Sequence, residues 1–294
     1  MPSPSIPSNI IAFWLGFLAA TVFWFIVSRL RPQIPRLRAA IRARISAMRR
    51  RVQDQIDDAL RRELLKRAQA MHLGASLFAL DEILVPPALL VPPSAFINPG
   101  TPAPDTMTNQ VIPYLPDWPE LASAYPVAKF TLAEALKNSV PVAVIGQPGI
   151  GKTVALADLA SKVARRAPET GMADHTPVLV SIFDLPYQET TSNPLDGLIA
   201  LLSHSTPVFA QSRLPAFITQ AAKNGALLVL VDGLDELPPP MLENAILYLT
   251  RLRSQYPRIK CAITAIPQQV PKLNQAGFLS IPLATWNHTQ VEDF

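Results

Sequence analysis

The chain has 294 residues, of which 49% are hydrophobic and only 16% charged, and its formal net charge is +4. Its single cysteine, Cys261, excludes a disulfide within the chain and fits a reducing compartment, and the four histidines, His72, His175, His204 and His288, show no metal-ligand spacing. The positive balance is not a nucleic-acid signature, because it is local: residues 1–80 carry thirteen Lys/Arg against four Asp/Glu, whereas residues 81–294 carry thirteen against eighteen.

Residues 10–27 contain no charged side chain. With Ile6–Asn9 in front, the run is just long enough to span a bilayer as a helix, and Trp14 and Trp24 suit the two interfaces. A cleaved signal peptide has a basic leader and a small-residue cleavage site; here no Lys or Arg precedes the run, and Arg29 and Arg31 follow at once. The expectation is an uncleaved anchor over 1–28, single-pass in the cell membrane. The arginines that follow place everything after residue 28 in the cytoplasm.

Residues 29–80 read as a basic amphipathic juxtamembrane helix. Leu37, Ile41, Ile45, Met48, Val52, Ile56, Leu60 and Leu64 recur at three- or four-residue spacing over 36–72, with arginines between them. Such a stripe can lie on anionic membrane lipid, pair with a second copy of itself, or cover the domain that follows. Residues 81–126 form a proline-rich linker, with eleven prolines from 86 to 126. Its Phe96, Tyr114 and Trp118 are too apolar for a free coil, so packing on a surface is expected.

From about residue 127 strands and helices alternate. A short helix is predicted over 131–137, a strand over 140–145, a helix over 153–166 and a second strand over 177–182. Helices over 195–203 and 214–223 precede a third strand over 226–232. A helix over 239–255, a fourth strand over 260–264 and a short fifth over 278–282 complete the pattern. Alternation of this kind implies a parallel α/β sheet covered on both faces. A further helix starts near Thr289.

Two motifs carry chemistry. The first is Gly146-Gln147-Pro148-Gly149-Ile150-Gly151-Lys152-Thr153, a complete G-x-x-x-x-G-K-[ST] phosphate loop between a strand and a helix. Its glycines let successive N–H groups point at phosphate oxygens, Lys152 reaches the β- and γ-phosphates, Thr153 can ligate Mg²⁺, and the helix N-terminus adds its dipole. The second is Asp232-Gly-Leu-Asp235-Glu236 at the end of the apolar strand 226–232. Asp232 stands at the carboxyl edge of a parallel strand, where a carboxylate can hold Mg²⁺ through water. Asp235 and Glu236 follow within one turn and can orient or polarise an attacking water. Cys261, within Ile259-Lys-Cys-Ala-Ile-Thr264, reads as a small core residue.

On these residues the chain resembles the NACHT family of signal-transduction NTPases (STAND class). The likeness covers about 127–294 and rests on the phosphate loop (Walker A), the strand Thr176-Pro-Val-Leu-Val-Ser181 and above all Asp232-Gly-Leu-Asp-Glu236 (Walker B), a form that most other phosphate-loop enzymes lack. It implies a three-layer α/β/α P-loop NTPase domain that binds ATP, or GTP, with Mg²⁺. Lys152 and Thr153 carry over as phosphate and Mg²⁺ ligands, Asp232 as the Mg²⁺ aspartate, and Asp235 and Glu236 as the acidic pair beside the hydrolytic water. It also implies a switch that forms homo-oligomers, through the NTPase domain or the 36–72 helix. The family usually ends its fourth strand with Thr-Ser/Thr-Arg-Pro, whose arginine contacts the γ-phosphate. Thr264-Ala-Ile-Pro267 stands here, and Ile266 cannot make a charged contact; slow turnover follows, and a nucleotide-binding scaffold without significant turnover is the alternative. The family's helical continuation is represented only by the residues near Thr289, so the likeness is to a C-terminally truncated member. The Asp-Gly-Leu-Asp-Glu pattern argues against a small-molecule kinase, and the absence of Asn-Lys-x-Asp argues against a guanine-reading GTPase.

Overall fold

The uncharged run 10–27 lies within a helix, α1 (Ser8–Leu30), in the computed structural model, which describes residues 8–30, 34–72, 74–90, 129–187 and 193–286. Residues 91–126 of the linker expected over 81–126, and the helix expected from Thr289, lie outside the described residues. All described side chains of α1, residues 12–25, are exposed. The Thr21 hydroxyl donates to the Phe17 carbonyl at 2.6 Å, so the only polar side chain among them is satisfied within the helix. Among the described residues no helix is long and apolar enough to cross a membrane.

The chain divides into two compact units between Gln55 and Ile56. The boundary falls inside α2 (Ile34–Gln69), the basic helix anticipated over 36–72. In the first unit Met48 of the apolar stripe is exposed, and the side chains of Leu37, Ile41, Ile45 and Val52 lie outside those described. In the second unit the same stripe is buried: Ile56, Leu60, Leu64 and Ala68 are covered. Over this last third of α2, the stripe serves the domain that follows.

The second unit is organised by a five-stranded sheet. Its strands are β3 (Val142–Ile145), β4 (Thr176–Ser181), β5 (Leu227–Asp232), β6 (Lys260–Ala265) and β7 (Leu279–Pro282). The order is β4-β5-β6-β3-β7 and every pair is parallel. Successive side chains point to opposite faces. Val142, Val144, Leu179, Leu228 and Leu230 fill one face, against Leu64 and Ala68 of α2 and the apolar side of α5 (Lys152–Ala164). The alternate residues Ala143, Val178, Val180, Val229, Val231 and Ile263 are buried as well, so both faces are covered, as continuous apolar strands require. Cys261 belongs to this core, and burial pushes its thiol up to about 12, which leaves it unreactive.

The helices fall where their periodicity placed them: α6 (Leu195–Ser205), α8 (Leu214–Asn224) and α9 (Pro239–Gln255), with two short ones between or after, α7 (Val208–Gln211) and α10 (Val270–Gln275). Gly225 closes α8 with a positive φ of 74°, where an added Cβ would meet Arg258 at 2.8 Å. Two short strands, β1 (Leu89–Leu90) and β2 (Lys129–Phe130), pair antiparallel, and Leu89 also bridges Leu283 beyond β7. Leu80 in the short helix α3 (Leu80–Ile83) and Leu132 in α4 (Leu132–Ala135) complete the core; Thr131 and Glu134 form a capping box that starts α4.

The end of α2 is also held by charge. Arg61 is 4% exposed. Its guanidinium donates to the carbonyls of Val163 (2.5 Å), His175 (2.6 Å) and Ala173 (3.3 Å) and to Asp57 Oδ2 (2.6 Å). Asp57 accepts the Thr176 hydroxyl at 2.8 Å on its other oxygen. Arg166 reaches both Asp57 (3.0 Å) and Asp58 (2.7 Å). Arg166 has φ 56°, a left-handed conformation that costs a non-glycine residue about 1–2 kcal/mol. Glycine would fit that backbone better, but it has no side chain to reach the two aspartates. The buried guanidinium is tolerated because every partner oxygen is in place.

Removing that guanidinium while leaving Asp57 and three carbonyls behind is expected to be expensive. Arg61→Leu should destabilise the second unit by about 3 kcal/mol, read as a lowered urea midpoint for the full chain. An unchanged midpoint would show that α2 is not held in this way.

Candidate functional site

The site forms at the carboxyl ends of β3, β5 and β6. The connection leaving β3 runs to β4 at the far edge of the sheet, while that leaving β6 crosses β3 to reach β7. Adjacent strands whose connections part in opposite directions open a crevice at their ends. The loop 146–151 lies there. Gly149 and Gly151 have φ of 84° and 100°, which only glycine adopts without strain. Gly146 is needed for space: a Cβ would stand 2.6 Å from Ile150 Cγ2. The Gly146 N–H donates to the Ala265 carbonyl at 3.1 Å, which ties the start of the loop to the end of β6.

Lys152 opens α5 and is 5% exposed. Its ammonium faces three oxygens: the carbonyls of Gly146 (2.9 Å) and Gln147 (3.0 Å), and Asp235 Oδ2 (3.0 Å). An ammonium has three donors, so a phosphate oxygen arriving here competes with one of these partners. Thr153 donates its hydroxyl to Asp232 Oδ2 at 2.8 Å. The strand end, the loop and the helix start are thus joined across 79 positions of sequence by one bond.

Gly233, with φ 88°, turns the chain out of β5 into the short helical turn Leu234–Glu236. Leu234 is fully buried and anchors that turn; Asp235 faces Lys152, and Glu236 is exposed. The structure therefore brings together Lys152, Thr153, Asp232 and Asp235, and leaves Glu236 on the adjoining surface. Ile266, just past β6, presents an apolar side chain. Among the loop residues Gln147, Pro148 and Ile150, it is the Gln147 carbonyl rather than a side chain that touches Lys152.

The sequence reading passed over one member of the site. Thr264, fully buried in β6, donates its hydroxyl to Asp232 Oδ1 at 2.8 Å and accepts the Gly233 N–H at 2.9 Å. Both carboxylate oxygens of Asp232 are thereby held by threonine hydroxyls. The available signal was a hydroxyl inside an otherwise apolar strand, since a buried hydroxyl needs a partner.

Charge decides what the site can accept. One ammonium stands against three carboxylates, Asp232, Asp235 and Glu236, so a bare polyphosphate would meet net negative charge. A divalent cation between them and the N-terminal dipole of α5 offset that charge. Among the described residues no group of three or more His, Cys, Asp or Glu could hold a metal. Mg²⁺ does not require one: it keeps most of its water and takes one or two protein oxygens. The Thr153 hydroxyl and Asp232 carboxylate, already in contact, fit that donor set.

A separate cavity of about 220 Å³ is lined by Leu89, Thr131, Ala155, Asp158 and Leu159 among others and includes none of residues 146–153. Burial pushes the Asp158 carboxyl above its ordinary value, against the opposing pull of Lys162 at 2.8 Å.

The family model described as NACHT domain matches residues 140–294, a span that contains every residue of this site. No curated protein matches the chain.

Thr264 can be tested on stability alone. Thr264→Val leaves a half-buried Asp232 oxygen without its threonine donor and the buried Gly233 N–H without a partner and should cost about 1–3 kcal/mol, whereas Thr264→Ser should recover most of it. Thermal unfolding of the full chain in chelator, without nucleotide, measures both; equal melting of Val and Ser variants would contradict the role assigned to the hydroxyl.

Proposed function

The chain belongs to the NACHT family, and from that premise we propose that it is a membrane-anchored signalling switch that binds Mg²⁺–ATP, or GTP, and hydrolyses it slowly. The observation that carries this reading is the pairing of the phosphate loop with the acidic strand end. Lys152 meets Asp235 at 3.0 Å and Thr153 meets Asp232 at 2.8 Å, within one buried crevice. The family supports nucleotide-dependent NTPase signalling; the membrane, the slow rate and the assembly are this proposal's own.

In this reading the loop N–H groups and the start of α5 receive the phosphates, and Lys152 turns from Asp235 to a phosphate oxygen. That exchange frees the Asp235 carboxylate, which with Glu236 takes a proton from the attacking water or orients it. Thr153 and Asp232 would hold Mg²⁺, which when bound would neutralise charge on phosphate oxygens. Ile266 brings no cation to the γ-phosphate, so turnover is slow. The same absence supports the second reading, a nucleotide-binding oligomerisation scaffold without significant turnover.

Lys152→Ala should largely abolish nucleotide binding, measured by calorimetry with a non-hydrolysable analogue and Mg²⁺ on the full chain; equal affinity in the two proteins sinks the assignment. Chelation of Mg²⁺ should weaken binding of the wild type for the charge reason above. Phosphate release should be slow, should fall at least about tenfold in Glu236→Gln or Asp235→Asn, and should rise in Ile266→Arg. Rapid release that ignores all three changes contradicts the mechanism, and binding without release selects the scaffold.

The membrane part of the proposal rests on the sequence alone, the uncharged run Ile10–Val27 and the arginines that follow. The N-terminus is then outside and the nucleotide site cytoplasmic. Membranes washed with carbonate should retain the protein, and a tag after Phe294 should resist protease added to intact cells. Release by carbonate, or cleavage from outside, rules this topology out.

A further inference from the structure

A buried glutamine stands where β6 ends. Gln269 closes the helical turn Pro267–Gln269 and is 6% exposed. Proline at the first position of that turn has no N–H to continue the β6 ladder, so the chain must leave the sheet there. The Gln269 side chain then folds back toward the turn that follows β5. Its Oε1 accepts the Ile266 N–H at 3.2 Å, and its Nε2 donates to the Leu234 carbonyl at 2.9 Å. The first bond is local, three residues away; the second spans 35 positions and reaches the turn that carries Asp235 and Glu236.

We propose that Gln269 is a positioning residue for the acidic turn: its buried amide ties the main chain at Ile266 to that at Leu234 and so sets where Asp235 and Glu236 stand relative to Lys152. This deepens the NTPase reading and rests on it for its catalytic consequence.

The turn Leu234–Glu236 has few restraints of its own. Its internal bonds, Glu236 N–H to the Gly233 carbonyl (3.2 Å) and Leu237 N–H to the Leu234 carbonyl (3.3 Å), are long for backbone hydrogen bonds. Gly233 on its N-terminal side has the freest backbone of any residue type. From outside, the turn is held at its start by the Gly233 N–H bond to Thr264, by the buried Leu234 and Leu237 side chains and by the Lys152–Asp235 contact, and at its main-chain carbonyl by the Gln269 bond to Leu234. A shift of the turn would strand a buried amide, at a cost of about 1–3 kcal/mol, so the amide resists the shift. The carboxylates on the two following residues inherit that restraint. Asp235 needs it most, because its 3.0 Å contact with Lys152 fails with a small displacement.

The test uses the full chain and Gln269→Met, which keeps the length and removes both bonds. Hydrogen exchange at the Glu236 and Leu237 amides should quicken by about tenfold, since the turn they close has lost the outside bond to its main chain. Phosphate release should fall about tenfold in kcat while affinity for Mg²⁺–ATP stays within about threefold, the pattern of a misplaced catalytic group rather than a lost ligand contact. In an Asp235→Asn, Glu236→Gln background the same change should cost no more than about twofold, because the groups it positions are already disabled. Should Gln269→Met fail to fold, Gln269→Asn, which keeps a neutral amide but is one methylene too short to reach both partners, carries the same expectations. Unchanged exchange at Glu236 and Leu237 overturns the proposal, as does a full tenfold loss in the disabled background, which would make Gln269 a general brace. If the wild type neither binds nor hydrolyses nucleotide, the NTPase reading fails, while the exchange measurement still decides whether Gln269 holds the turn.

Discussion

Lys152 is an ammonium with almost no access to water, and a buried cation persists only where oxygens surround it. Much of the second unit's arrangement serves that condition. Two of the oxygens are carbonyls of the loop, which face inward because Gly149 and Gly151 take left-handed backbone angles. The third belongs to Asp235, which is within reach because β5 ends level with the loop and Gly233 turns the chain back at that point. The surplus of carboxylate over ammonium at the same spot then makes the crevice a place for a divalent cation together with a polyphosphate, and a poor place for the polyphosphate alone.

Threonines and a glutamine supply the precision that the charges lack. Asp232 is gripped on one oxygen by Thr153 and on the other by Thr264, from two different elements. Gln269 reaches the next turn in the same way. These neutral donors fix direction at little electrostatic cost.

The end of α2 shows the same logic in a different place. Its apolar residues cover the sheet face beside α5, and Arg61 and Asp57 bind a carbonyl near the end of α5 and the carbonyl and hydroxyl at the start of β4. A segment that composition sets apart as a basic helix therefore contributes Ile56 to Gln69 to the compact unit. The arginines of a helix need not all face lipid or solvent. Arg61 is among the most deeply buried charges in the molecule, and its neighbour Arg62 is exposed.

Local pattern determined a good deal by itself. Runs of apolar residues marked all five strands of the sheet to within about two residues, and their alternation with helical stretches marked α5, α6, α8 and α9. The phosphate loop and the acidic strand end were legible because each packs its chemistry into a few consecutive residues, and the family match covers both. The order of the strands was not legible. Nothing near Thr264 in the chain says that β6 will lie between β3 and β5, and that insertion is what presents its hydroxyl to Asp232. Gln269 was equally silent: a glutamine after a proline reads as a solvated turn until the Leu234 carbonyl is beside it. The burial of Arg61 depended in the same way on carbonyls more than a hundred residues away. Periodicity and motif spacing are properties of neighbours along the chain, whereas these contacts come from strand pairing and helix packing between distant segments, which only the folded structure decides.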